Sequence, residues 1–583
     1  MLGQVVFVGD NQVKIKLKNN VNIATNLMNL HVILEEGQKR VLGEITSIDG
    51  SEISIGLLGE FLENSFYSGV IKKPGLNAKV RFITKEELEL VIGNRTENSF
   101  LLGDSPLYNH YPIYADINKL FSNHFAIFGN TGSGKSCGVA RVLQNVFLNK
   151  IIVPVHASFL IFDSYGEYHN AFKNIHEIDP NFQFKYYTTN DLDTEGEQLR
   201  VPIWTFSKED LAVLLFANEH SQLTIIEEMI RLANLFSTTS EEAKKYKNHL
   251  IAKAIINVLY NNQSSSSKRN DVFRILNVCS TEELKLDVVI HGLGYSRTLR
   301  ELFTIDSGGN FPERNLLIDY VNGFIEEEIK HIVVPQQKYS LTDLERALDF
   351  VMISEGIVSN PKLYQNASAI KVRLHSIIVG KYAKFFDYPE YISKEEYIQS
   401  LITKDGRKAQ IINFNFEDVD DWFSKSVTKY YCNIIFEYCK SMGNKSNLPF
   451  NLILEEAHRY VQKDNDIYLF GYNIFERIAK EGRKYGVIMG LLSQRPVELS
   501  GTVVSQISNF LIFKMTHPLD VDYIKKMLPN INEEIIEKQK ILQSGTCVAF
   551  GKAFTIPMLV HFTMPNPAPY SSNIDIVSSW KAS

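Results

Sequence analysis

HFAIFGNTGSGKSCGVARVLQNVFL, His124 to Leu148, decides the fold. Its first apolar residues read as a short buried strand, and a glycine-rich turn follows. The remainder carries apolar residues three and four apart and reads as a helix. Within it Gly129 to Ser136, GNTGSGKS, fits G-x-x-x-x-G-K-[ST] in full, in the strand-to-helix context where that pattern has a physical meaning. Gly129 and Gly134 let backbone N–H groups curl inward toward phosphate oxygens. The helix opening near Lys135 aims its N-terminal dipole at the same anion. Lys135 supplies a mobile cation for the β- and γ-phosphates, and Ser136 a hydroxyl ligand for Mg²⁺. The expected nucleotide-binding set is Gly129, Asn130, Thr131, Gly132, Ser133, Gly134, Lys135, Ser136 and Cys137, with ATP and Mg²⁺ as the expected cofactors.

Outward from this loop the chain reads as an α/β sheet in two parts. SFLIFDS supplies a second strand, giving a first part over residues 101 to 205. AQIINFNF, NLILEE, GVIMGLLSQ, NFLIFKM and TCVAFG supply further strands over residues 405 to 565. Residues 206 to 404 separate them and are mostly helical in pattern, as in LTIIEEMIRLANLF and LTDLERALDFVM. In that insertion the polar runs NNQSSSSKRND (Asn261 to Asp271) and DSGGNFPERN (Asp306 to Asn315) read as flexible loops. Residues 1 to 100 alternate in short bursts, QVVFVGD through LELVIG, and read as strands of a small β-barrel. Residues 566 to 583 read as a C-terminal tail.

NLILEEAHRY, Asn451 to Tyr460, ends a buried-looking strand in two adjacent glutamates. Burying such charges costs several kcal/mol unless cations offset them. A nucleotide-bound Mg²⁺ and Lys135 supply that offset. Glu455 is the expected carboxylate for Mg²⁺, and Glu456 the expected base or orienting group for the attacking water; the two roles can be exchanged. Gln494, at the end of GVIMGLLSQRP, is the expected sensor of the γ-phosphate. In RIAKEGRKYG, Arg483 either complements a helix dipole or reaches a neighbouring subunit's site as an arginine finger, with Arg477 in reserve.

Composition sets bounds. The chain has 583 residues, 44% hydrophobic and 22% charged, which suits several globular units. A net charge of −6 and a pI near 6.2 exclude a protein that coats nucleic acid with its whole surface, but not one with a local basic channel. Lys480, Lys484, Lys525 and Lys526 are candidates for such a channel, with solvated surface charge as their default reading. No apolar run reaches membrane-spanning length, the N-terminus does not read as a signal peptide, and the five cysteines have no metal-like spacing. A cytoplasmic setting without membrane contact is expected.

Several motifs together resemble the HerA family of hexameric ATPases, relatives of the FtsK translocases. They are NKLFSNHFAIFGNTGSGKS, LIFDSYGEY, LILEEAHRY, EGRKYG, LLSQRP, VDYIKKMLP and SGTCVAFGKAFTIP, in that order. The resemblance implies a RecA-like core, a preceding HAS-type barrel, a homo-hexameric ring and nucleotide sites between subunits. It implies that Asp163 and Glu167 belong to a D-x-x-G-E-Y segment that positions the site, lies at the subunit interface or takes part in the chemistry. Many related ATPases carry Asp where Glu455 stands; the longer Glu suits Mg²⁺ binding through water. The implied activity is translocation on, or unwinding of, double-stranded DNA beside a nuclease or other effector, NurA-like or sirtuin-like, in end resection or anti-phage defence. The alternative is an ATP-controlled hexameric scaffold that activates an effector enzyme and translocates little.

Overall fold

The computed structural model describes residues 1–18, 27–63, 65–93, 95–292, 294–326, 335–354, 360–442, 448–527, 538–570 and 576–580. Leu528 and Pro529, which end the VDYIKKMLP stretch, lie outside them.

Apolar alternation closes the N-terminal region into a barrel. In Gln12–Leu17 the valine, isoleucine and leucine are buried, while the intervening lysines face outward. Six antiparallel strands pair in the order Gln12–Leu17, Gly3–Val8, Lys79–Phe82, His31–Glu36, Lys39–Asp49 and Glu52–Leu62, and the last pairs back to the first. Closure leaves no edge among these six; Ser65–Ser68 adds to the outside of Glu52–Leu62. LELVIG, expected as a strand, lies in the helix Lys85–Ile92 and its glycine cap. Thr84 and Glu87 form a reciprocal capping box at its start, and this local device overrides the apolar alternation.

Phe100 lies outside the barrel, because the hairpin Ser99–Ser105/Tyr111–Asp116 forms one edge of a twelve-stranded sheet. Across that sheet run eight parallel strands: Glu197–Gln198, Phe184–Thr188, Ile411–Asn415, Phe159–Asp163, Phe450–Leu454, Val487–Ser493, Phe125–Phe128 and Asn509–Ile512. Thr546–Gly551, Met558–His561 and the edge hairpin continue it antiparallel. The inner parallel strands are buried on both faces, so their sequences are unbroken apolar runs rather than alternations. This is the expected α/β P-loop ATPase core with an N-terminal barrel.

Val487–Ser493 lies between the loop strand Phe125–Phe128 and the acidic strand Phe450–Leu454. Loop, glutamine and glutamates therefore emerge side by side at the carboxyl ends of parallel strands, where open α/β sheets bind ligands. Helices from Lys208 to Ile402 pack into the same core as one face of the sheet. Within them, part of NNQSSSSKRND is not a loop: Ser265–Val278 is a helix, with Ser264 capping its N-terminus. Its buried residues Val272, Ile275 and Leu276 lie mostly beyond the polar run, so packing of the second half holds the first in helix. Cys432 and Cys439 are buried in the helix Asp421–Ser441. No helix among the described residues is long and apolar enough to cross a membrane.

Candidate nucleotide site

The loop is held from outside as well as by its own glycines. Gly132 and Gly134 have φ of +75° and +92°, the left-handed region that favours glycine. Gly129 serves packing instead: a Cβ there would lie 2.7 Å from Cβ of Phe513. The closing hairpin covers the loop. Gly545 N–H donates to the Ser133 carbonyl at 3.0 Å, and the Ser544 hydroxyl donates to the Gly132 carbonyl at 3.0 Å. A Cβ on Gly134 would lie 2.6 Å from the nitrogen of Gly545, so the two glycines permit this approach.

Lys135 opens the helix Lys135–Phe147 and is buried. Its Nζ lies 3.2 Å from Oε1 of Glu456, itself buried. Gln494 Nε2 donates to the same Oε1 at 2.5 Å, and Gln494 Oε1 accepts from the Thr131 hydroxyl at 2.7 Å. Lys135, Glu456, Gln494 and Thr131 thus form one polar chain from the loop across two strand ends. Glu456 sits at φ +46°, ψ +48°. For a non-glycine residue this left-handed backbone costs about 1–2 kcal/mol, a strain that tends to mark functional positions. His458 Nδ1 stands 3.2 Å from the second Glu456 oxygen and 3.3 Å from the Ser493 hydroxyl. Burial holds its pKa below the usual histidine value.

Glu455 points into a different corner. Its Oε2 accepts the Ser164 N–H at 3.0 Å. Burial, then the neighbouring carboxylates Asp163 and Glu167, push its pKa well above the carboxylate range. Asp163 is fully buried and caps the turn that follows it. It accepts the N–H groups of Tyr165, Glu167 and Tyr168 and the side chain of Asn413 at 2.9 to 3.3 Å. That turn brings Glu167 against the Ser136 hydroxyl, and burial raises the Glu167 pKa. Glu167 Oε2 is buried and has no hydrogen-bond partner among the described residues. A serine hydroxyl, an unpartnered carboxylate oxygen and further acidic groups suit a hard, oxygen-seeking cation such as Mg²⁺.

The structure therefore brings together Lys135, Ser136, Thr131, Glu455, Glu456 and Gln494. It does not bring Arg483 to them. Arg483 is exposed, just before the start of Val487–Ser493, at the opposite end of the parallel sheet. Arg477 is engaged internally, 2.8 Å from Glu437 and over the rings of Phe436 and Tyr472. Lys480, Lys484 and Lys526 are exposed, Lys480 within 3.8 Å of Glu476. Residues without an expected role also reach the site: Tyr165, Arg459 and Arg495, with Asp421, line a cavity of about 380 Å³ beside Glu456, His458 and Gln494. For Tyr165, Arg459 and Arg495 the only sequence signal was position, since each directly adjoins or sits within a motif.

Residues 100–285 match the family model described as "Helicase HerA, central domain". The DNA double-strand break repair helicase HerA of Saccharolobus solfataricus is 28% identical over 208 residues, covering 35% of this chain and 41% of that one. The probable DNA double-strand break repair helicase HerA of Methanocaldococcus jannaschii is 25% identical over 512 residues, 86% of this chain and 84% of that one. Among solved structures, VirB4 of Thermoanaerobacter pseudethanolicus aligns with 82% of this chain and 99% of its own, at 12% identity and a TM-score of 0.44. With the phosphate loop and the acidic strand end side by side, the chain is a P-loop ATPase, similar along most of its length to proteins named as HerA helicases.

Proposed function

We propose that the chain is the ATP-driven motor of a six-membered ring that translocates on double-stranded DNA. The observation that carries this reading is the hydrogen-bonded chain Lys135–Glu456–Gln494–Thr131, buried at Lys135 and Glu456 and open at Thr131. Mg²⁺·ATP binds at Gly129–Cys137. Its γ-phosphate draws Lys135 away from Glu456, and the freed carboxylate orients the attacking water. Gln494 follows the phosphate and couples its loss to the strand end. Ser136, Glu167 and Glu455 would hold Mg²⁺, which would neutralise charge on the phosphates. Arg483, facing away from its own site, serves the neighbouring subunit's γ-phosphate.

The DNA substrate is proposed from the likeness to relatives named as double-strand break repair helicases. A nuclease or other effector carried on a separate chain is the proposed partner, in repair or in defence against phage, on the same support. The test is steady-state ATP hydrolysis with and without linear double-stranded DNA, with Glu456→Gln as control. The motor reading expects turnover that rises several-fold with DNA and is lost in the variant. Turnover indifferent to DNA would overturn it in favour of the scaffold.

A further inference from the structure

The last described stretch before the C-terminal helix does not hang free as a tail. Residues 566 to 570 are strapped onto the motor beside the phosphate-loop helix. Asn566 N–H donates to Gln144 Oε1 at 3.0 Å, and Gln144 Nε2 donates to the Pro567 carbonyl at 2.8 Å. Asn170 Nδ2 donates to the Ala568 carbonyl at 2.8 Å, and Tyr570 N–H donates to the Glu167 carbonyl at 2.8 Å. Gln144 is buried, and both ends of its amide are used on the strap. Chain ends usually fray unless something ties them down. Here a buried amide does so, and lifting the strap would leave it short of partners.

The strap runs toward the phosphate end of the helix. It begins at Gln144, in the helix's third turn, and ends at Glu167, whose side chain meets Ser136 in the first. At that end it presents Tyr570, 61% exposed, whose ring packs on no other ring among the described residues. Arg141 lies on the same helix face, four residues after Cys137 and three before Gln144, at the spacing that aligns side chains. Its Nε is buried without a hydrogen-bond partner among the described residues.

We infer that Tyr570 is the platform on which the nucleobase stacks, and that Arg141 donates to the sugar or base beside it. This rests on Gly129–Ser136 being the triphosphate site. The γ-phosphate end of that site is fixed by Lys135, Glu456 and Gln494 on the acidic-strand side. The α-phosphate, sugar and base must leave on the other side, past Ser136 and Cys137, along the helix toward the strap. An aromatic face held there accepts a purine without any polar match.

The test is calorimetric binding of two Mg²⁺-loaded ligands to the full chain: the non-hydrolysable imido analogue of ATP, and tripolyphosphate, which has no base. Tyr570→Ala, at an exposed position, should weaken the analogue about ten-fold and leave tripolyphosphate unchanged. Tyr570→Phe should bind both as the wild type does. Unchanged analogue binding by Tyr570→Ala would overturn the inference, and so would an equal loss for both ligands. Wild-type protein that binds neither ligand would instead bring down the phosphate-site reading beneath it.

Discussion

Glu455 and Glu456 adjoin in sequence and share no side-chain partner. Glu456 reaches the loop, where Lys135 and Gln494 satisfy one oxygen and His458 stands by the other. Glu455 turns back to a backbone N–H in a corner crowded with other carboxylates. Strand alternation already sends neighbouring side chains to opposite faces, and the left-handed backbone of Glu456 turns the chain where the strand ends. In the proposed mechanism one carboxylate exchanges partners when a phosphate arrives, and the other holds a cation.

The largest effect expected is at the residue that Glu456 shares with the phosphate. Lys135→Ala should lower hydrolysis by about 10³-fold or more, the scale of losing a positioned transition-state charge, and filter binding should show ATP retention lost. Glu456→Gln should lower turnover by about 10²–10⁴-fold while ATP is still retained; loss of retention would mean that Glu456 builds the site rather than acting in it. On the Glu455 side, Asp163→Ala strips acceptors from three backbone N–H groups and should cost roughly 3 kcal/mol of stability, read as a lowered urea midpoint. An unchanged midpoint would show that the turn holds without its cap. The smallest change is expected from Gln494→Ala. Losing its proposed hydrogen bond to the γ-phosphate, about 1.5 kcal/mol, should slow turnover about ten-fold, with KM little altered.

What was legible in the sequence follows the range of the interactions. The phosphate loop is local: eight residues whose backbone needs are written in their own glycines and lysine. The acidic and glutamine strands were legible because full burial turns a parallel strand into an unbroken apolar run. Contacts between distant segments were not. Ser544 and Gly545 clamp the loop across more than 400 residues, and the 566–570 strap is held by Gln144, Asn170 and Glu167, about 400 residues earlier. Asp163 matched a motif, yet its work as a turn cap is visible only once four donors converge on it. The helix Ser265–Val278 was hidden because its polar first turns face solvent and its apolar anchors come later. The left-handed conformation of Glu456 has no sequence signature, since glutamate is not a residue that prefers it.

The most direct test of the division between the two glutamates is the Mg²⁺ dependence of ATP hydrolysis by Glu455→Gln and Glu456→Gln. A residue holding the metal through water is overcome by more metal, with a midpoint shifted about 10- to 100-fold; a residue acting on the attacking water is not. The account predicts that Glu455→Gln regains most of its activity at high Mg²⁺ and that Glu456→Gln stays inactive at every concentration. Recovery of Glu456→Gln by Mg²⁺, with Glu455→Gln inactive throughout, would contradict it and exchange the two roles.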